Sequence, residues 1–398
     1  MTGTDSFRQL SEVMTERLVK FQERMLHGME VFSEPLDTLS DATPKDEVLS
    51  VDRWKLYRYR PLVKNPKPIP VLIFYALINR YYMIDLQPDR SMVKKFLEAG
   101  LDVFVVDWGH PARGDRYLTM EDYIDDYMNQ AVDHVRQLTG NQAITLYGIC
   151  QGGTFSSIYT ACYPQKVRNL AIMVAPINFH TDTGLLNVWS HSLDPDKMVE
   201  AFGNVPGDFM NVGFLLLNPL RLMFQKYIDL MEHSDNKDFV SNFVRMEKWI
   251  FDSPDQTGEA FKQFVKCMYQ ENQLVRGDFK LGNKTVDLKN ITQPVLNVFA
   301  EKDHLVPPDC SRPFTDLVGS EDKTILSFPT GHIGLFTSSK SQRDYAPKIA
   351  NWLANHSELL PATHSNQAVN SPEKKKTRHR TASGARKTPT KNHRGGKR

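Results

Sequence analysis

A chain of 398 residues is long enough to bury one large core or two smaller ones, and 40% hydrophobic with 24% charged residues is the balance of an ordinary globular protein. Its strongest apolar run, "VLIFYALI" at 71–78, is too short to span a bilayer, and the first thirty residues lack the apolar segment of a signal peptide, so no transmembrane segment is expected. The net charge of +2 hides a split: residues 361–398 hold 11 Lys/Arg and one acid, Glu373, which gives +10, and the other 38 bases and 46 acids leave −8.

In chain order, residues 1–35 place Phe7, Leu10, Met14, Leu18, Phe21 and Met25 at helical spacing. This predicts an N-terminal amphipathic helix, packed on its own domain or docked on a partner. From 36 to 180, apolar strands alternate with amphipathic helices. "PVLIFYALI" reads as a buried strand, "RSMVKKFLEAG" as a helix closed by Gly100, and "LDVFVVDWG" as a second strand. A longer helix at 120–140 follows, then a third strand, "QAITLYGIC", a helix from Gly152, and a fourth strand, "VRNLAIMVAP". Such alternation predicts an α/β fold with a mostly parallel sheet covered by helices on both faces.

Between 181 and 288 the rhythm breaks into Met- and Phe-rich helical patterns with no clear strand. So long an insertion between late strands is no plain loop and predicts a helical cap over the strand ends. The sheet pattern resumes over 289–358 with "PVLNVFAEKD", "KTILSFP" and a closing helix. Residues 359–398, rich in Ser, Thr, Pro, Gly and bases, read as a disordered basic tail. An anionic partner for it (nucleic acid, polyphosphate or an acidic granule surface) stands beside a purely solubilising role.

Four cysteines, at 150, 162, 267 and 310, form no Cys-x-x-Cys pair, which speaks against zinc and against a disulfide framework, and fits a reduced, cytoplasmic setting. Cys150 stands apart from the rest. In "YGICQGG" it occupies the nucleophile position of a Gly-x-Ser-x-Gly elbow, with Gly148 and Gly152 where a sharp strand-to-helix turn leaves no room for a Cβ. Taken singly it reads as an inert buried thiol. An elbow, however, needs an acid and then a histidine in chain order. Asp303 follows the strand "VLNVFA", and His332 follows the next strand. Taken singly these are a turn residue and a surface imidazole; taken together they form a nucleophile–acid–base set at the carboxyl edge of a sheet. Oxyanion stabilisation is expected from the backbone N–H of Gln151 and from a second N–H at Ala76 to Ile78, assigned to Leu77.

The segments "YGICQGG", "LINRYYMIDLQP", "VFVVDWGHP", "EKDHLVPP" and "GHIG" together resemble a poly(3-hydroxyalkanoate) synthase, from about residue 35 to 357. Reaching the nucleophile by residue 150 resembles the short catalytic subunit of the two-component class III enzymes. The resemblance implies the α/β-hydrolase fold, a 3-hydroxyacyl-CoA substrate (3-hydroxybutyryl-CoA in particular), a growing polymer chain and a covalent thioester on Cys150. It also implies a role for Asp303 and His332 as catalytic partners, with His304 supporting the incoming hydroxyl. No cofactor is implied, since coenzyme A arrives with the substrate and is released, and no metal. Expected partners are a second synthase subunit and a second copy of the chain, at the surface of polyhydroxyalkanoate granules. Two readings compete: a Cys-dependent hydrolase of the thioesterase or dienelactone-hydrolase kind, and a granule-associated protein without activity.

Overall fold

The computed structural model describes residues 42–358; the helix expected at 1–35 and the basic tail at 359–398 lie outside them. Eight strands form one sheet. They are β1 (Lys45–Val51), β2 (Trp54–Tyr59), β3 (Val71–Phe74), β4 (Val103–Asp107), β5 (Ile144–Ile149), β6 (Val167–Met173), β7 (Val295–Ala300) and β8 (Lys323–Phe328). Their spatial order is β1-β2-β4-β3-β5-β6-β7-β8. From β4 to β8 all pairings are parallel, while β1 and β2 pair antiparallel with each other, and β2 pairs antiparallel with β4.

The central strands β3, β4, β5 and β7 are buried along their whole length, which is why they read as continuous apolar runs rather than alternating ones. Apolar clusters cover both faces of the sheet: Phe74, Leu146, Phe155 and Ile158 belong to one, and Ile73, Tyr147, Phe96 and Leu353 to the other. Helix α1 (Met92–Glu98) is capped by Ser91, whose side chain accepts from Lys94 N, and Gly100 follows it at φ +83°. Helix α2 (Asn129–Thr139) ends on Gly140 in the left-handed region. Helix α3 (Gln151–Cys162) runs directly off β5 and is buried along nearly its whole length.

Three features depart from the sequence reading. The edge pair β1–β2 was not expected, because β1 is largely exposed and its residues mix charge with apolar side chains. The run "PVLIFYALI" is not one strand. It leaves the sheet after Phe74, whose neighbours are Val106 and Gly148, and Tyr75 to Asn79 form a loop across the strand ends, turned by Asn79 at φ +58°. Finally, the stretch between β6 and β7 is helical, including α4 (Gly207–Leu216) and α5 (Lys237–Phe251), but Lys280–Leu281 and Lys284–Thr285 form a two-stranded hairpin and Val205 bridges Gln256. Among the described residues no helix is long and apolar enough to cross a membrane.

Candidate active site

The turn from β5 into α3 carries Cys150 at φ +54° and ψ −126°. A non-glycine residue in this region is strained by roughly 1–3 kcal/mol, and such strain persists only where the surroundings impose it. Here they do. A Cβ at Gly148 would lie 2.5 Å from Gly153 Cα, and one at Gly152 would lie 2.2 Å from Phe74 O. The two glycines therefore let α3 press against the end of β3 while the turn lifts the sulfur above the sheet. Gly152→Ala is expected to destabilise the fold by roughly 3 kcal/mol, as overpacking against backbone does, read as a lower urea midpoint with an unchanged slope.

Asp303 sits in the turn after β7, and His332 in the loop after β8. Both are buried, and His332 Nδ1 donates to Asp303 Oδ2 at 2.7 Å. The other carboxylate oxygen accepts from Leu305 N at 2.9 Å and from Val306 N at 3.0 Å. The carboxylate is thus immobilised, and the imidazole is held with Nδ1 protonated and Nε2 turned away from Asp303. Burial alone would push the imidazole down. Asp303, by charge and hydrogen bond, together with hydrogen bonding and charge from Cys150, outweighs it and raises His332 to about 10. His304 is pushed below its usual 6.5, burial leading, Asp303 opposing it, and His332 and Arg221 adding to the drop.

Cys150, His332 and His304 line a single cavity of about 190 Å³ whose walls are mainly apolar, among them Tyr75, Phe214, Trp249 and Tyr269. A second cavity of about 240 Å³ adjoins it and shares Ile78, Gln151, Phe214 and Tyr269 as lining. Two phenols stand near the sulfur. Burial first and Cys150 second push Tyr75 well above its ordinary range; for Tyr269 burial leads, followed by Cys310 and Cys150. Neither tyrosine stands in a chemical motif, and Tyr269 comes from the helical insertion, so only the folded chain brings it to the site.

Helix α3 aims its N-terminus at the elbow, and no hydrogen bond engages the N–H of Gln151 among the described residues. The assignment of the second oxyanion donor to Leu77 requires correction. Leu77 N donates to Gln151 Oε1 at 3.1 Å, and Leu77 does not line the cavity. Ala76, one residue earlier, does line it, and its N–H has no hydrogen-bond acceptor among the described residues. The Gln151 side chain takes the Leu77 N–H, and the N–H left without an acceptor on this loop is that of Ala76, which shares the cavity with Cys150. A nucleophile, a base oriented by a buried acid, and free N–H groups in an apolar cavity can together carry acyl transfer. Among the described residues no group of three or more His, Cys, Asp or Glu is placed to hold a metal ion.

The alpha/beta hydrolase fold family matches residues 69–339, and the poly-beta-hydroxybutyrate polymerase (PhaC) N-terminus family matches residues 40–96. The chain is 49% identical over 354 residues to the poly(3-hydroxyalkanoate) polymerase subunit PhaC of Synechocystis sp., covering 87% of this chain and 93% of that protein. It is 48% identical to the protein of the same name from Allochromatium vinosum, covering 85% of this chain and 96% of that one. Among solved structures, a soluble variant of monoglyceride lipase from Saccharomyces cerevisiae superposes with a TM-score of 0.51 at 12% identity, covering 81% of this chain and 98% of that one. That likeness concerns the fold alone.

Proposed function

The chain belongs to the poly(3-hydroxyalkanoate) polymerase subunit PhaC family, acyltransferases of the α/β-hydrolase fold that polymerise hydroxyalkanoates, and from that premise we propose that it does so through a thioester on Cys150, with 3-hydroxybutyryl-CoA as substrate. The observation that carries this reading is the cavity in which a strained Cys150 shares its walls with an imidazole already oriented by a buried carboxylate.

A thiolate attacks the thioester carbonyl, the oxyanion settles on the Gln151 and Ala76 N–H groups, and the carbon–sulfur bond to CoA breaks. The imidazolium of His332 returns a proton to the leaving CoA thiolate. One thioester has then replaced another, so loading is nearly balanced. The 3-hydroxyl of a second unit next attacks the enzyme thioester, its proton passing to His332 or, with His304 in support, towards Asp303, and the carbon–sulfur bond to Cys150 breaks to return the thiolate. The new oxoester is more stable than the thioester it replaces, and this draws polymerisation forward. A serine at position 150 would form the oxoester one step too early. The apolar walls serve the same end by keeping water from the acyl-enzyme.

The name "subunit" carried by the relatives supports a second synthase subunit as partner, and a growing hydrophobic polyester supports residence at a granule surface. The basic tail, at +10, would strengthen attachment to an anionic component there. Incubation with 3-hydroxybutyryl-CoA, with and without the partner subunit, tests the reading: CoA release with insoluble polymer is expected, and release of free 3-hydroxybutyrate alone would make the protein a hydrolase.

A further inference from the structure

The loop after β3 supplies one of the two oxyanion donors, yet little of what fixes that loop belongs to the sheet. Leu77 is gripped on both sides, at its N–H and at its carbonyl, by glutamine side chains. Gln151 Oε1 takes its N–H at 3.1 Å, and Gln256 Nε2 donates to its carbonyl at 2.9 Å. Gln151 stands at the head of α3, but Gln256 comes from the helical insertion, just after α5. Gln256 is itself immobile: it is only 4% exposed, and its N–H and C=O both bond to Val205 at 2.8 Å. The same insertion segment holds the end of the loop, while Trp108 Nε1, just past β4, donates to Tyr75 O at 3.0 Å, the carbonyl of the peptide that carries the Ala76 N–H. Trp249 Nε1 donates to Arg80 O at 2.8 Å, Asn79 Nδ2 reaches Ile250 O at 3.3 Å, and Tyr82 donates to Asp252 at 2.8 Å. Asn79 makes its contacts from a left-handed backbone at φ +58°, a conformation asparagine adopts more readily than most residues.

We propose that Gln256 is a positioning residue for acyl transfer: by clamping the Leu77 carbonyl, it acts with Gln151 on the Leu77 N–H and Trp108 on the Tyr75 carbonyl to keep the Ala76 N–H directed towards the acyl oxygen. The inference rests on the reading of Cys150 as acyl carrier. A backbone N–H stabilises an oxyanion only when its direction is fixed before charge develops, and an error of about 1 Å in such an arrangement costs on the order of 100-fold in rate. The consequence is a coupling between two requirements of the reaction. The segment Trp249–Gln256 walls the cavity from water and also completes the oxyanion site, so a protein whose insertion has lifted away has lost the geometry for attack by water as well as by the polymer hydroxyl.

The test uses the full-length Gln256→Met protein, which keeps the volume and removes the donor. Its kcat for CoA release from 3-hydroxybutyryl-CoA is expected to fall roughly 10- to 100-fold with KM within about threefold. Loading with butyryl-CoA, which lacks the attacking hydroxyl, gives a stalled acyl-enzyme whose carbonyl stretch reports hydrogen bonding to its oxygen. In the variant this band is expected at higher frequency than in the parent. Asn79→Gly, which keeps the left-handed backbone and deletes the ties of the side chain to Trp249, Ile250 and Ser253, is expected to move the band in the same direction and serves if Gln256→Met does not fold. A folded Gln256→Met protein with parental kcat and an unmoved band overturns the proposal, as does a lower Tm with kcat per folded molecule unchanged, which would make Gln256 a packing residue only. Failure of the Cys150 reading is distinguishable, because then the parent protein itself shows no acyl-enzyme band.

Discussion

Cys150→Ala is expected to lower CoA release from 3-hydroxybutyryl-CoA by roughly 10⁶-fold, the scale seen when a covalent nucleophile is removed from an intact site. Acyl-enzyme formation is expected to vanish with it, read by mass spectrometry after mixing with butyryl-CoA. The fold should remain, because the strain at φ +54° is imposed by the packing of Gly148 and Gly152 and not by the sulfur. Cys150→Ser separates chemistry from geometry further. The serine oxoester is no less stable than the polymer ester it would have to feed, so this variant is expected to load slowly and then stall, with a covalent adduct and no polymer. Activity near the parent level in the alanine protein would remove the covalent mechanism altogether. Of the other three thiols, Cys162 and Cys310 are pushed up by burial to about 11 and about 12, so neither supplies a thiolate at neutral pH in place of Cys150.

The parts of this site that the sequence discloses are those whose chemistry is tied to a local backbone event. Cys150 lies between two glycines that only a sharp turn requires, Asp303 follows a strand buried along its whole run, and His332 follows the alternating edge strand β8. What stays hidden depends on contacts between distant segments. That the Leu77 N–H is occupied while that of Ala76 is not follows from the reach of the Gln151 side chain, a difference of one residue that no periodicity encodes. Gln256 and Tyr269 come from the insertion, more than a hundred residues beyond the elbow, and their spacing relative to it carries no signal. The edge strand β1 escapes for a different reason: none of its residues is fully buried, so it shows no apolar pattern.

Asp303→Asn is expected to reduce CoA release by on the order of 10⁴-fold at neutral pH, as loss of the orienting carboxylate does in nucleophile–histidine–acid sites. Two effects combine. The carboxamide offers His332 a donor as readily as an acceptor, so the imidazole loses the fixed tautomer that presents Nε2 to the sulfur. It also removes the charge that lifts His332 from 6.5 to about 10 against the downward push of burial. The sign follows. In the parent protein the imidazolium keeps its proton until about pH 10, so the alkaline fall in activity is expected near that value. In the variant, burial acts unopposed by Asp303, and the alkaline limb moves to lower pH. Stability reports the same shift independently of activity. A folded-state pKa raised above the unfolded value of 6.5 contributes stability that is complete below that pH and is lost as pH rises through about 10. The parent should therefore lose Tm between pH 7 and 10 more steeply than Asp303→Asn, whose own deficit should be greatest at pH 6. Parallel Tm curves for the two proteins, or an alkaline limb that does not move, would show that Asp303 holds the imidazole in place without setting its proton affinity.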